Sequence, residues 1–326
     1  MNKKAAAIVG GILVVGLGLF GFTKLNSGSN SGSQDQTKQE QNVEETIVKV
    51  TDSNGEAVEL EKNPQRVVVF DYGVADILKN LGVDAVVGLP KDGKMPEILS
   101  NYSDDKYTNV GSLKETDFEA VESLNPDLII IGGRQAEDID SFKEIAPTVN
   151  LAVDGQDYMN SFKTVVTDLG KLFDKEDEAK KAIDEIEAKI EKVNKTVKEK
   201  GLTASVVMAN EGNISAFSAK SRYGLIYNGL GFAEVDKNID DSTHGQQVSF
   251  EYFLENKADY VFVVDRGAIT GKGDSASKLF DNEVMNKTEV AKNGNIVYLN
   301  SVIWYTMTGG IESTNKMIDE IADALK

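Results

Sequence analysis

Arginine is used sparingly in this chain, and its placement points to recognition of an anion. Four occur among 35 basic residues: Arg66, Arg134, Arg222 and Arg266. The last three follow an apolar run or open a helix, in DLIIIGGRQ, SAKSRYGLIY and YVFVVDRGAI. The single histidine, His244, lies between the second and third of these, in DSTHGQQ. A guanidinium carries a rigid fork of donors and is weakly hydrated, which suits it to desolvated anions better than lysine. Arg134, Arg222 and Arg266 therefore mark a pocket for an anionic ligand. Each alone also has a plainer reading as the partner of a nearby carboxylate, such as Asp265 beside Arg266. Arg66 follows Pro64 at the entrance to a strand and reads as structural.

The net charge of −18 sharpens this reading, because an anion must find local positive charge within an acidic protein. It also argues against nucleic acid, whose phosphates demand a basic surface. The absence of cysteine excludes disulfides, thiolate metal sites and a thiol nucleophile. One histidine is too few for a zinc or manganese receptor built on several imidazoles. No G-x-S-x-G, P-loop or H-E-x-x-H motif offers enzyme machinery. The chain reads as a binding protein rather than an enzyme.

Residues 1–24 read as a membrane anchor or signal segment. Lys3 and Lys4 precede an uncharged, apolar, glycine-rich run from Ala5 to Phe22. At about 1.5 Å per residue this run is near the lower limit for crossing a bilayer. It exceeds the usual signal-peptide core of roughly 7–15 residues. The leading lysines favour a cytoplasmic N-terminus and an exported remainder. Residues 25–46, rich in Ser, Gly, Asn and Gln, read as a flexible tether. Gly16-x-Gly18-x-x-Gly21 matches the dinucleotide fingerprint in letters but lacks the βαβ context that gives it meaning. No nucleotide site is inferred there.

The elements that must position the arginines form two similar sets. Short β-branched runs at Val67–Phe70, Ala85–Gly88 and Leu128–Ile131 alternate with periodic stretches at Val74–Leu81 and Phe118–Leu124. A second set of runs lies at Ala204–Met208, Tyr260–Val264 and Ile296–Leu299. Such alternation predicts parallel sheets. Between the sets, Tyr158–Phe173 is apolar at helical spacing, and Glu176–Lys200 reads as a charged helix with a solvated face. The expected fold class is α/β, two Rossmann-like lobes joined by a long rigid helix. Residues 47–156 form the N-terminal lobe, 157–174 the connecting helix and 175–326 the C-terminal lobe. Ligands of open α/β sheets bind outside the carboxyl ends of the strands. Arg134 and Arg266 fall at such ends, as does Tyr72, which joins the candidate lining. Gly132 and Gly133 are expected to turn the backbone sharply before Arg134.

From about Ile47 to Lys326 the chain resembles the substrate-binding proteins of iron-siderophore ABC importers. NPQRVVVFDYGVADIL and NVGSLKETDFEAVESLNPDLIIIGGRQ are similar to the opening blocks of that family. SRYGLIYNGLGF, THGQQVSFEYFLENKADYVFVVDRGAI and WYTMTGG resemble its catecholate branch, whose members bind petrobactin- or enterobactin-type ligands. The resemblance implies the class III, helical-backbone periplasmic binding protein fold. It implies a basic triad of Arg134, Arg222 and Arg266 facing a ferric catecholate. His244 and Tyr305 would complete the iron shell of four-coordinate ligands, with Trp304 beside them. Fe(III) would arrive within the siderophore, with no intrinsic cofactor. The partners implied are an ABC permease and its ATPase, docked through Glu97 and Glu234. The chain is expected to be a monomer on the outer face of the cell membrane, held by its N-terminal segment. The sequence departs from the family where many members carry a lipidation cysteine, since Phe22 follows Leu19-Phe20-Gly21. A haem or hydroxamate receptor of the same fold, or a cell-surface adhesin, remains as an alternative.

Overall fold

The computed structural model describes residues 46–326 apart from Thr243, Lys272 and Asp274. The anchor expected at 1–24 and all but the last residue of the tether lie outside the described residues. None of the described helices is long and apolar enough to cross a membrane.

The described chain enters through an antiparallel hairpin, β1 (Ile47–Thr51) and β2 (Ala57–Glu61). Five parallel strands follow: β3 (Val67–Val69), β4 (Val86–Leu89), β5 (Thr108–Asn109), β6 (Leu128–Ile131) and β7 (Thr148–Asn150). Their spatial order is β5-β4-β3-β6-β7. All residues of β3 and β6 are buried, as helices on both faces of a parallel sheet require. The winding reverses between β3 and β6, and the crevice of a doubly wound sheet opens at that switch. Asp71 and Arg134 lie just beyond those two strand ends.

The C-terminal lobe holds β8 (Thr203–Asn210), β9 (Asn213–Phe217), β10 (Ala233–Glu234), β11 (Gln246–Val248), β12 (Tyr260–Asp265) and β13 (Ile296–Leu299). They run β11-β9-β8-β12-β13, with β10 also paired to β8. β8, β10, β12 and β13 are parallel, whereas β9 and β11 run against their neighbours. The sequence reading missed this antiparallel edge. Its cause is a two-residue hairpin in which Glu211 and Gly212 both take positive φ, at 49° and 84°. That is the turn chemistry expected where strand twist must be matched in a tight reversal.

Between the sheets runs the connecting helix Tyr158–Leu172, 15 residues and about 22 Å long. It buries Phe162, Val165, Val166, Leu169 and Leu172, and each such side chain contributes roughly 1.5–3 kcal/mol. The charged helix Glu176–Lys200 packs beside it and ends at Gly201 with φ 62°. Its exposed pairs, such as Lys180 with Asp184 and Lys195 with Glu199, form the expected solvated face.

A second tie between the lobes was not legible in advance. The C-terminal helix Ile311–Ala324 packs back on the N-terminal lobe helix Tyr72–Asn80. Lys79 pairs with Glu312 at 3.0 Å. Asp76, wholly buried, accepts from the Ser313 amide at 2.8 Å and the Asn80 side chain at 2.7 Å. Gly310 is required there, because a Cβ would run into the Asp76 carboxylate. Burial raises the Asp76 pKa to about 6 against these favourable bonds. One apolar cluster runs unbroken from Val67 and Val69 through Phe162 to Phe262 and Ile318. The shared core and the two helical ties make the lobes a stiff frame.

Candidate ligand-binding site

Three arginines that are distant in sequence converge on one tyrosine. Tyr305 lies in the short helix Ser301–Thr306, which follows β13 and is begun by the Asn300 side chain accepting from the Ile303 amide. Arg134 and Arg222 donate through Nη2 to the Tyr305 carbonyl oxygen, at 3.0 and 2.9 Å. The guanidinium carbons of Arg222, Arg134 and Arg266 stand 4.5, 5.8 and 6.0 Å from the centre of the Tyr305 ring.

Each arginine reaches this place by a different local device. Arg134 follows β6 in a 3-10 turn, Gly133–Asp138. Gly132 does not turn sharply, contrary to expectation. Its φ of −111° is ordinary extended backbone, and glycine is needed because Asp71 Oδ2 occupies the space of a Cβ. Asp71 caps the Tyr72–Asn80 helix through the amides of Gly73 and Val74. Burial raises its pKa, opposed by those cap bonds and by Arg134. Arg222 lies in the loop after β9, its backbone pressed against Gly155 at the entrance to the connecting helix. Arg266 opens the helix Arg266–Thr270. The neighbouring Asp265 is not its partner. Both Asp265 oxygens are taken by backbone donors, from Ala268 at 3.0 Å and Ala276 at 2.7 Å.

The electrostatics are those of a site awaiting negative charge. Every ion pair among the described residues uses a lysine, and none uses Arg134, Arg222 or Arg266. Among the described residues, the buried Nε groups of Arg222 and Arg266 have no hydrogen-bond partner, nor do Tyr223 Oη and Asn210 Oδ1. Sharing one acceptor places the Arg134 and Arg222 nitrogens no more than about 6 Å apart. At an effective dielectric near 20, two such charges repel by about 3 kcal/mol. A cation–π contact returns roughly 0.5–1 kcal/mol at an accessible site. Four such contacts, together with the two bonds to the Tyr305 carbonyl, are of the same order as the repulsion, so the fold holds these charges together at little net cost.

The other candidates lie in varied surroundings. His244 is exposed in the loop before β11. The adjacent Gly245 packs on Phe217, whose ring meets Tyr223 edge-on next to Arg222. Trp304 is wholly buried and donates its indole N–H to Glu320 at 2.7 Å, so it supports the site from beneath. Tyr72 is also buried, its hydroxyl spent on the Pro90 carbonyl at 3.0 Å. Burial pushes its phenol up to about 12. Glu97 is exposed at the start of a 3-10 helix. Glu234 is half-buried and accepts from the Ala219 amide at 2.5 Å. It lies beside Ala204 in β8, about 16 Å along the strand from the level of Asp265. Arg66, as expected, is structural and donates to the Leu124 and Asn125 carbonyls. Sequence reasoning missed Asp71, Tyr223 and Glu320. Tyr223 could have been noticed beside Arg222; the other two are ordinary acids until the fold brings them in.

Known proteins share this arrangement of lobes. The petrobactin-binding protein YclQ of Bacillus subtilis (strain 168) is 46% identical over 299 residues, which are 91% of this chain and 92% of YclQ. Its crystal structure matches with a TM-score of 0.82 over 86% of this chain and 99% of that one. The periplasmic catecholate-siderophore binding protein VctP from Vibrio cholerae is 33% identical, with a TM-score of 0.81 over 85% of this chain and 99% of its own. The ferric-anguibactin-binding protein FatB of Vibrio anguillarum is 29% identical over 89% of this chain and 92% of FatB. A family model described as periplasmic binding protein matches residues 67–303. With this match and two α/β lobes joined by a helix, the chain belongs to the periplasmic binding protein family.

Proposed function

We propose that this chain is an extracytoplasmic substrate-binding protein, not an enzyme, that captures a ferric catecholate siderophore and delivers it to an ABC importer. The observation that carries the reading is the cluster of three guanidiniums around Tyr305, none of them in an ion pair among the described residues. A ferric tris-catecholate carries a net charge of about 3−, which is prohibitive to desolvate without compensation. Three arginines match that charge, and their planar forks can bond several catechol oxygens while stacking on the rings. The names of YclQ and VctP as petrobactin and catecholate-siderophore binders support the same ligand class.

A bis-catecholate fills four positions at iron and leaves two. An imidazole nitrogen from His244 and a phenolate oxygen from Tyr305 are suitable donors to complete the shell. Iron is cargo here, carried within the ligand. Glu97 and Glu234 serve as the docking acids toward the permease, Glu97 being the more accessible. The N-terminal segment tethers the chain, as a monomer, to the outer face of the membrane. The direct test is co-elution of protein with a coloured ferric catecholate on gel filtration. One iron per chain is expected, and a colourless protein peak would reject the ligand.

A further inference from the structure

We infer that Glu320 is the positioning residue that sets Tyr305 among the three guanidiniums. Its functional consequence rests on the ligand reading above. One oxygen of Glu320 accepts from the Asn300 amide at 2.9 Å and the other from the Trp304 indole at 2.7 Å. Asn300 caps the helix Ser301–Thr306, and Trp304 lies one turn further on. A single carboxylate thus grips this short helix at its N-cap and again one turn along. A six-residue helix has little stability of its own, so tertiary bonds must fix it. Successive helical residues point about 100° apart, and fixing Trp304 inward therefore fixes the direction of Tyr305.

Glu320 has no lysine or arginine partner among the described residues, so it is not a surface ion pair that happens to lie nearby. Burial raises its pKa, against the two bonds it accepts. The Tyr305 carbonyl is also the acceptor for Arg134 and Arg222. A helix turned by loss of Glu320 carries the phenol away from its place, while Arg134 and Arg222 keep the positions set by their own segments after β6 and β9.

The test compares wild type, Glu320→Ala, Glu320→Gln and Trp304→Phe. The probes are the ferric complexes of a tetradentate bis-catecholamide and a hexadentate tris-catecholamide. A supporting bond to a metal-binding group is typically worth about 10–100-fold in affinity. Glu320→Ala is expected to weaken the tetradentate complex by about that factor while leaving the hexadentate complex within roughly threefold. Glu320→Gln, which keeps one acceptor, falls between. Trp304→Phe keeps the ring packing without the indole N–H and reproduces the selective loss should Glu320→Ala fold poorly. Equal weakening of both complexes, or of neither, overturns the inference. A ligand-free arm follows the ring carbon resonance of Tyr305, assigned with Tyr305→Phe. That resonance should move in Glu320→Ala and Trp304→Phe, and an unmoved signal also overturns the inference. If wild type binds neither complex, the ligand reading falls and the resonance alone decides the role of Glu320.

Discussion

Arg134 and Arg222, delivered by opposite lobes, donate to the same acceptor, the carbonyl oxygen of Tyr305, at 3.0 and 2.9 Å. The lobes that carry them share one apolar cluster and are tied by the connecting and C-terminal helices. The spacing of two positive charges is therefore set before a ligand arrives. Preorganisation of this kind removes the cost of gathering like charges at the moment of binding.

Loss of any one of the three arginines should be severe. Arg134→Ala, Arg222→Ala and Arg266→Ala are each expected to weaken ferric catecholate binding by about 2–5 kcal/mol, roughly 30-fold to several thousand-fold. Titration calorimetry on each variant checks this. Unchanged affinity in two of the three contradicts the triad.

Arg266 should be needed for binding but not for folding. Arg266 brings a buried Nε without a hydrogen-bond partner among the described residues. Replacing an unsatisfied buried group with an apolar one of similar shape is often neutral or stabilising. Arg266→Met is expected to leave Tm unchanged or raise it by a few degrees, while binding is lost. A lower Tm for the ligand-free variant would contradict the electrostatic account.

Asp76 makes the fold more stable in mild acid. Its folded pKa of about 6 lies above the ordinary value of 3.8 because the carboxyl is buried at the contact with the C-terminal helix. Between those values the folded state binds more protons than the unfolded chain, so its contribution falls as pH rises. The contribution is fully present below the ordinary pKa and is lost as pH passes about 6. The two-unit difference amounts to about 3 kcal/mol. Asp71 and Glu320, also raised by burial, act in the same direction. Denaturant unfolding of wild type and Asp76→Asn between pH 4 and 7 isolates the Asp76 share, since the variant should show a shallower fall. Parallel profiles would remove Asp76 as the cause.

His244 should matter by ligand denticity. A hexadentate catecholate leaves iron no free position, whereas a tetradentate one leaves two. His244→Ala is expected to weaken the tetradentate complex about 10-fold or more and to spare the hexadentate one. Equal losses would point to a general contact with the ligand.

Much of this arrangement is written in local sequence. The runs at Leu128–Ile131 and Tyr260–Val264 announce strands because β-branched residues suit a sheet buried on both faces, and Arg134 and Arg266 stand at their ends. The scarcity of arginine also proved informative, since lysine supplies every ion pair among the described residues. What escaped is long-range. Nothing near Glu320 signals that it grips Trp304, and nothing near Asp76 signals that it receives the Ser313 amide. Tyr72 and Trp304 were expected to face a ligand because of their neighbours in the chain, yet both are buried and bonded elsewhere. Side-chain direction depends on tertiary packing that spacing alone does not encode.

The most direct measurement uses Trp304, the single tryptophan, which adjoins Tyr305. Its fluorescence would be followed while the protein is titrated with a ferric bis-catecholate, a ferric tris-catecholate, a ferric hydroxamate and haem. Tight, saturable quenching by the two catecholates alone, after correction for their absorbance, is the predicted result. Quenching by haem or the hydroxamate alone, or by none of the four, would contradict the proposed ligand.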